Sequence, residues 1–289
     1  MTRTSMPGLL VAVIAMFTCA HAAPPAGADA ASGKPATAAK HRSAIPVTGD
    51  SVLARLDRTG TLRVGVAVNV PWVSHDKDGQ LIGYSIDVAK QVAADMGWKL
   101  DLVTTSWPKL VDGLRTDRYD VVISGLSITP QRARLVRFTR PYGEYDISLV
   151  VNRSKASATD IAGFLKGNPK RVAVRKGTLN VAIARDRLPG AEIIEVDDES
   201  QAIADLRAGK YDAFVAEAPT PHLLQLAYPN DLRELGEPLG RTAHGMAVRL
   251  GDRELRHVLD AWIIQNQASG WLKQRADFWF NGTAWANQL

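Results

Sequence analysis

The chain predicts an α/β protein of two lobes, each built on a doubly wound sheet, with a cleft between them. Three observations carry that prediction. First, a phrase occurs twice, Leu-Arg-Thr-Asp-Arg-Tyr-Asp-Val-Val-Ile-Ser from Leu114 and Leu-Arg-Ala-Gly-Lys-Tyr-Asp-Ala-Phe-Val-Ala from Leu206. Each copy reads as a helix end, a polar turn and a short apolar strand. Second, strands and helices alternate before and after the first copy, and the alternation starts again near Lys170. Such alternation is the signature of parallel sheets wound with helices. Third, two apolar extended segments, residues 146–151 and 241–250, lie where the chain would leave the first lobe and return to it, forming a two-strand hinge.

Residues 61–68 alternate as a strand, residues 85–96 place Ile86, Ala89, Ala93 and Met96 on one helical face, residues 99–104 form a second strand and 107–114 a short helix. The second round runs strand 171–174, helix 178–187, strand 193–196, helix 200–208 and strand 213–216. A strand at 246–250 and helices at 254–268 and 271–280 close the chain. Trp262, Trp271 and Trp279 read as anchors that pack these last helices on lobe one. The domain boundaries expected are 51–148 with 245–289 for lobe one and 149–244 for lobe two.

The 289 residues, 46% hydrophobic and 22% charged, are ordinary globular material. The N-terminus differs: Arg3, an apolar run over 9–17 and Ala20-His21-Ala22 read as a secretory signal, residues 1–22, cleaved after Ala22. Residues 23–50, rich in Ala, Pro, Gly, Ser and Thr, read as a disordered linker. Cys19, the single cysteine, lies within the signal, so the mature chain holds no thiolate metal site, and no metal or other cofactor is expected. The net charge of +5 is spread along the chain without a basic, aromatic-laced stripe, which argues against a nucleic-acid partner. The five histidines beyond the signal show no metal or triad spacing and read as surface or packing residues.

The residues after each copy of the phrase carry the chemistry. After the first come Ser124, Gly125, Ser127 and Arg132, hydroxyls and a guanidinium at the carboxyl end of a strand, suited to gripping a carboxylate. The alternative for this segment is a turn with a helix cap at Thr129 and an arginine paired on the surface. After the second comes Glu217, suited to an ammonium; the alternative is a buried acid paired to a neighbouring base. Gly177 and Thr178 read as a glycine turn opening a helix, either a second anion grip or an ordinary helix start. Positive and negative poles together describe a site for a zwitterion.

Six segments in order, Gly60-Thr61-Leu62-Arg63-Val64-Gly65-Val66, Gly83-Tyr84-Ser85-Ile86-Asp87, Trp107-Pro108-Lys109-Leu110, residues 124–132, Phe138-Thr139-Arg140-Pro141-Tyr142 and Lys176-Gly177-Thr178, resemble the periplasmic solute-binding proteins for amino acids that serve ABC importers. The resemblance implies the two-lobed periplasmic binding protein fold, a periplasmic location, a monomer, and as partners a small zwitterionic or carboxylate ligand and an ABC permease. It implies that Arg132 binds the ligand α-carboxylate with help from Gly125, Ser127 and Thr178. It further implies that Glu217, where the family usually has Asp, binds the α-amino group, and that Trp72 packs on the ligand side chain. Tyr84 and Trp107 join Trp72 as residues setting pocket volume.

A rival on the same fold is the cyclohexadienyl dehydratases, which the chain resembles in Thr105-Ser106-Trp107-Pro108 and over residues 262–279. The resemblance implies a general acid one helical step after Glu217. Thr220 stands there and cannot supply a proton near neutral pH. Glu217 is the remaining candidate acid.

Overall fold

A computed structural model of the chain describes residues 51–282 together with Trp285. The expected signal, residues 1–22, the expected linker, residues 23–50, and most of the tail after Gly282 lie outside the described residues. No helix among those described is long and apolar enough to cross a membrane.

The first lobe opens with α1 (Val52–Thr59), capped by the Ser51 hydroxyl and closed by Gly60 in the left-handed region. It continues through β1 (Thr61–Val66), a small hairpin of β2 (Ser74–His75) and β3 (Leu81–Ile82), α2 (Tyr84–Asp95) and β4 (Lys99–Thr104). The expected helix over 107–114 divides into a 3-10 turn, Trp107–Lys109, and α3 (Leu110–Arg115), because Pro108 belongs in a first turn. Then come β5 (Val121–Val122), α4 (Pro130–Ala133) and β6 (Arg137–Phe138).

The second lobe comprises β7 (Gly143–Asn152), α5 (Ile161–Phe164), β8 (Arg171–Arg175), α6 (Asn180–Arg187), β9 (Glu192–Val196), α7 (Glu199–Arg207), β10 (Ala213–Glu217), α8 (Thr220–Ala227), β11 (Leu232–Glu234) and β12 (Gly240–His244). The chain returns through β13 (Ala247–Val248) and ends with α9 (Arg253–Ala268), α10 (Trp271–Ala276) and a widened π turn, Asp277–Asn281.

The first sheet runs β4-β1-β5-β13-β6 and the second β11-β7-β10-β8-β9. Within each, the three parallel strands take the same order, β4-β1-β5 in one and β9-β8-β10 in the other, with the strand of the doubled phrase third in sequence. The phrase repeats down to its hydrogen bonds. Asp120 accepts from the Arg63 amide at 3.0 Å and Asp212 from the Arg171 amide at 2.7 Å, so each Tyr-Asp pair ties its strand to the lobe's first parallel strand. Successive residues of β5 and β10 enter opposite cores: Val121 and Ile123 face one layer and Val122 the other, as do Val215 and Phe214. Helices cover both faces of each sheet, which is why these strands read as continuous apolar runs.

The lobes are joined by the ribbon of β7 and β12, paired antiparallel from Gly143 opposite His244 to Ile147 opposite Gly240. Within β7 only residues 147–152 pair with β10 or β11, and residues 143–146 pair with β12 alone, so residues 143–146 and 241–244 form the crossing. That is several residues before the expected outward boundary at 148–149, because Asp146 and its neighbours already pair with the return strand. Trp262 and Trp279 are buried in lobe one, and their indole N–H groups donate to Asp95 and Asp87, each at 2.7 Å.

Tyr119, from the first copy of the phrase, lies against Gly65 and Gly113, where a Cβ at either glycine would overlap its ring or hydroxyl. Gly65→Ala is expected to destabilise the protein by about 1–3 kcal/mol, the usual cost of overpacking a filled core. Urea denaturation checks this, with a lowered midpoint at unchanged slope as the expected result.

Candidate functional site: a cavity between the lobes

A narrow cavity, partly open to solvent, lies between the lobes at the carboxyl ends of the parallel strands. From lobe one it receives Asn69, Trp107, Ser127 and Arg132, and from lobe two Arg175, Thr178, Asn180, Glu199, Glu217 and Thr220.

The sequence around Arg132 explains its placement. Thr129 caps α4 by accepting the Arg132 amide at 3.1 Å and Pro130 fills the first turn, so Arg132 projects from a one-turn helix of fixed start. Its guanidinium donates to the Ser127 carbonyl at 2.8 Å and across the cleft to the Gly177 carbonyl at 3.0 Å. Burial lowers the Arg132 pKa, and the charge of Glu217 opposes that shift. Two of the five guanidinium N–H donors are occupied, which leaves a bidentate edge for an anion.

Glu217 ends β10, facing Arg132. One carboxylate oxygen accepts from the Ser127 hydroxyl at 3.3 Å, and the other lies 2.9 Å from His244 Nε2. His244 is fully buried and Glu217 only 10% exposed. The contact falls outside the geometry of a directed hydrogen bond. The expectation that the histidines are surface or packing residues without an acid partner is corrected at His244, which ends the return strand of the hinge against the acid of the cavity.

The structure brings together Arg132, Ser127, Thr178, Glu217 and Trp107. The Thr178 hydroxyl donates to the Arg175 carbonyl at 2.7 Å, and helix α6 begins two residues later than expected, at Asn180. Four other sequence-predicted residues stand behind the cavity wall. Ser124 is fully buried, its hydroxyl exchanging hydrogen bonds with the backbone of Ala67 at 2.9 and 3.2 Å. Gly125 is buried and donates its amide to the Tyr142 hydroxyl at 3.2 Å. Trp72 and Tyr84 are buried in an aromatic cluster with Tyr145 and Phe280, Phe280 lying 4.4 Å from Trp72 between ring centroids. They shape the cavity from behind, through His244, whose ring lies 4.9 Å from that of Trp72.

Sequence reasoning missed Arg175 and Glu199, which form an ion pair at 2.9 Å on the lobe-two wall, and Asn180 beside them. Burial pushes the Glu199 carboxyl above its ordinary value against the opposing pull of Arg175. Arg175 also lies 5.6 Å from the ring centre of Trp107 across the cleft. The rule that ligands meet the carboxyl ends of parallel strands was the available signal, since Arg175 ends β8 and Glu199 comes just after β9.

Thr220, where the dehydratase resemblance would place an acid, lines the cavity and donates its hydroxyl to the Val70 carbonyl at 3.3 Å. With Arg132 to Gly177 and Ser127 to Glu217, this bond ties one lobe to the other, so the arrangement is a closed one.

The chain is similar to known proteins over most of its length. The chain is 29% identical over 232 residues to the L-cystine-binding protein TcyJ of Escherichia coli, covering 80% of this chain and 86% of the relative. It is 27% identical over 234 residues to the cyclohexadienyl dehydratase of Pseudomonas aeruginosa, covering 80% and 86%. Among solved structures it is similar to AncCDT-1, an ancestral amino acid-binding protein described as a precursor of cyclohexadienyl dehydratase. That match has a TM-score of 0.72 and 30% identity, over 80% of this chain and 99% of that one. The model of the bacterial extracellular solute-binding proteins, family 3, matches residues 62–282, and the chain belongs to that family.

Proposed function

We propose that the chain is the exported receptor of an ABC importer and closes on an amino acid between its lobes. The observation that carries this reading is that Arg132 of lobe one and Glu217 of lobe two border one cavity, with Ser127 touching both. Arg132 holds the ligand α-carboxylate with its free guanidinium edge, and Glu217 and Ser127 hold the α-ammonium. The names of the relatives and of the structural neighbours, binders of cystine, arginine, lysine and histidine among them, support the same ligand class.

The β7–β12 ribbon is the hinge. A ligand touching both lobes shifts the open–closed equilibrium by its differential affinity for the closed form. The permease then reads the closed receptor. In this reading residues 1–22 direct export and are removed, residues 23–50 precede the folded part as a linker, and the receptor works as a monomer in the periplasm.

A thermal-shift screen against amino acids and small carboxylates, run beside a turnover assay with prephenate and arogenate, tests the reading. Saturable stabilisation by an amino acid without turnover is expected; a ligand at a hundred times its Kd adds about 2.7 kcal/mol to folding. Formation of phenylpyruvate or phenylalanine would replace the receptor with the dehydratase.

A further inference from the structure

The lobe-two wall carries a second pair of opposite charges that binding one α-amino-acid group does not use. Arg175 and Glu199 both line the cavity, with side chains 18% and 17% exposed, and share one hydrogen bond of 2.9 Å. That bond occupies one of the five N–H donors of the guanidinium and one oxygen of the carboxylate, leaving both groups able to bind more. Beside them Asn180 is 5% exposed, and its side-chain oxygen has no hydrogen-bond partner. A buried acceptor without a donor is costly, and Asn180 lines a cavity whose occupant can bring one. Trp107 of lobe one lies against Arg175, so this part of the cavity is complete only with the lobes together.

The charge balance restricts what can bind. A side-chain carboxylate would meet Arg175 but repel Glu199, and a side-chain ammonium would do the reverse. Either leaves one buried charge worse paired than before. A group bearing both charges satisfies the pair, and its ammonium supplies the donor that Asn180 lacks. The cavity then holds two complementary pairs, Arg132 with Glu217 and Arg175 with Glu199.

We infer that Arg175, Glu199 and Asn180 form a second zwitterion subsite, so that the preferred solute is a diamino dicarboxylic acid with an α-amino-acid group at each end. This names the ligand class of the receptor reading and rests on it.

Calorimetric titration of the protein with L-cystathionine, S-methyl-L-cysteine, L-glutamate and L-lysine tests the subsite. These probes carry two zwitterions, one zwitterion, one with an added carboxylate, and one with an added ammonium. Cystathionine is expected to bind about tenfold or more tighter than each of the other three. The double variant Arg175→Met, Glu199→Gln is expected to bring cystathionine to within about threefold of S-methyl-L-cysteine measured on the same variant, and a circular dichroism spectrum like the parent's reports an intact fold. Glutamate or lysine binding tightest would overturn the inference, as would a preference that survives the double variant. The ranking on the unaltered protein needs no variant, so it decides the matter even if the double variant misfolds. If neither these four nor any other amino acid binds, the receptor reading fails and this inference with it. If all bind without preference, only the inference fails.

Discussion

Alanine at position 132 is expected to weaken amino acid binding by about 10- to 150-fold, the loss of a charge-assisted contact worth about 1.5–3 kcal/mol. Two effects act together. The free guanidinium edge is the cationic partner for a ligand carboxylate, and the same side chain donates across the cleft to Gly177 at 3.0 Å. Its removal therefore costs ligand contact and closure alike. Arg132→Lys keeps the charge and loses the planar fork, so it is expected to recover part of the loss and no more. Calorimetric titration of the three proteins with one ligand gives the ranking. An alanine variant as tight as the parent would remove Arg132 from the site.

Asp120→Asn is expected to cost about 3 kcal/mol of stability, whereas Asp212→Asn, the matching change in the second copy of the phrase, costs about 1 kcal/mol. Both carboxylates accept the amide of an arginine in the lobe's first parallel strand. Asp120 is in addition fully buried among Arg55, Arg63 and Arg249, with Arg63 Nη2 at 2.7 Å. Burial pushes its pKa up, but the hydrogen bonds from Arg63 and Arg55 outweigh that and hold it below the ordinary 3.8. Linkage sets the sign. A carboxylate depressed on folding stabilises above its unfolded pKa, and that contribution fades as pH falls below about 4 through the folded value. Urea denaturation of both variants at pH 7 and of the parent down to pH 3 tests this. Equal costs at positions 120 and 212 would show that the arginine cluster adds nothing beyond the shared backbone bond.

The doubled phrase was readable because its job is local and repeated: a helix end, a turn, and an aspartate reaching back one strand. Arg132 was readable because Thr129 and Pro130 fix its helix within the same few residues. The residues that sequence reasoning misplaced depend on distant partners. Ser124 follows a strand buried on both faces, where a hydroxyl can serve the cavity or the neighbouring backbone, and it serves Ala67. Trp72 and Tyr84 were expected at the ligand, but Phe280 from the last turn joins them in a closed cluster. His244 meets Glu217 only because β12 returns beside β7, and Arg175 meets Glu199 only because β8 and β9 are neighbours. No spacing along the chain encodes those meetings.

On the receptor reading, Arg132 recognises the carboxylate of an amino acid held between the lobes. A double-mutant cycle isolates that contact: the best-binding amino acid and its decarboxylated amine are each titrated against the parent and Arg132→Ala. A coupling of about 1.5 kcal/mol or more is expected, with the alanine variant losing its preference for the amino acid over the amine. A coupling near zero, with the carboxylate still preferred after Arg132 is gone, would refute that role.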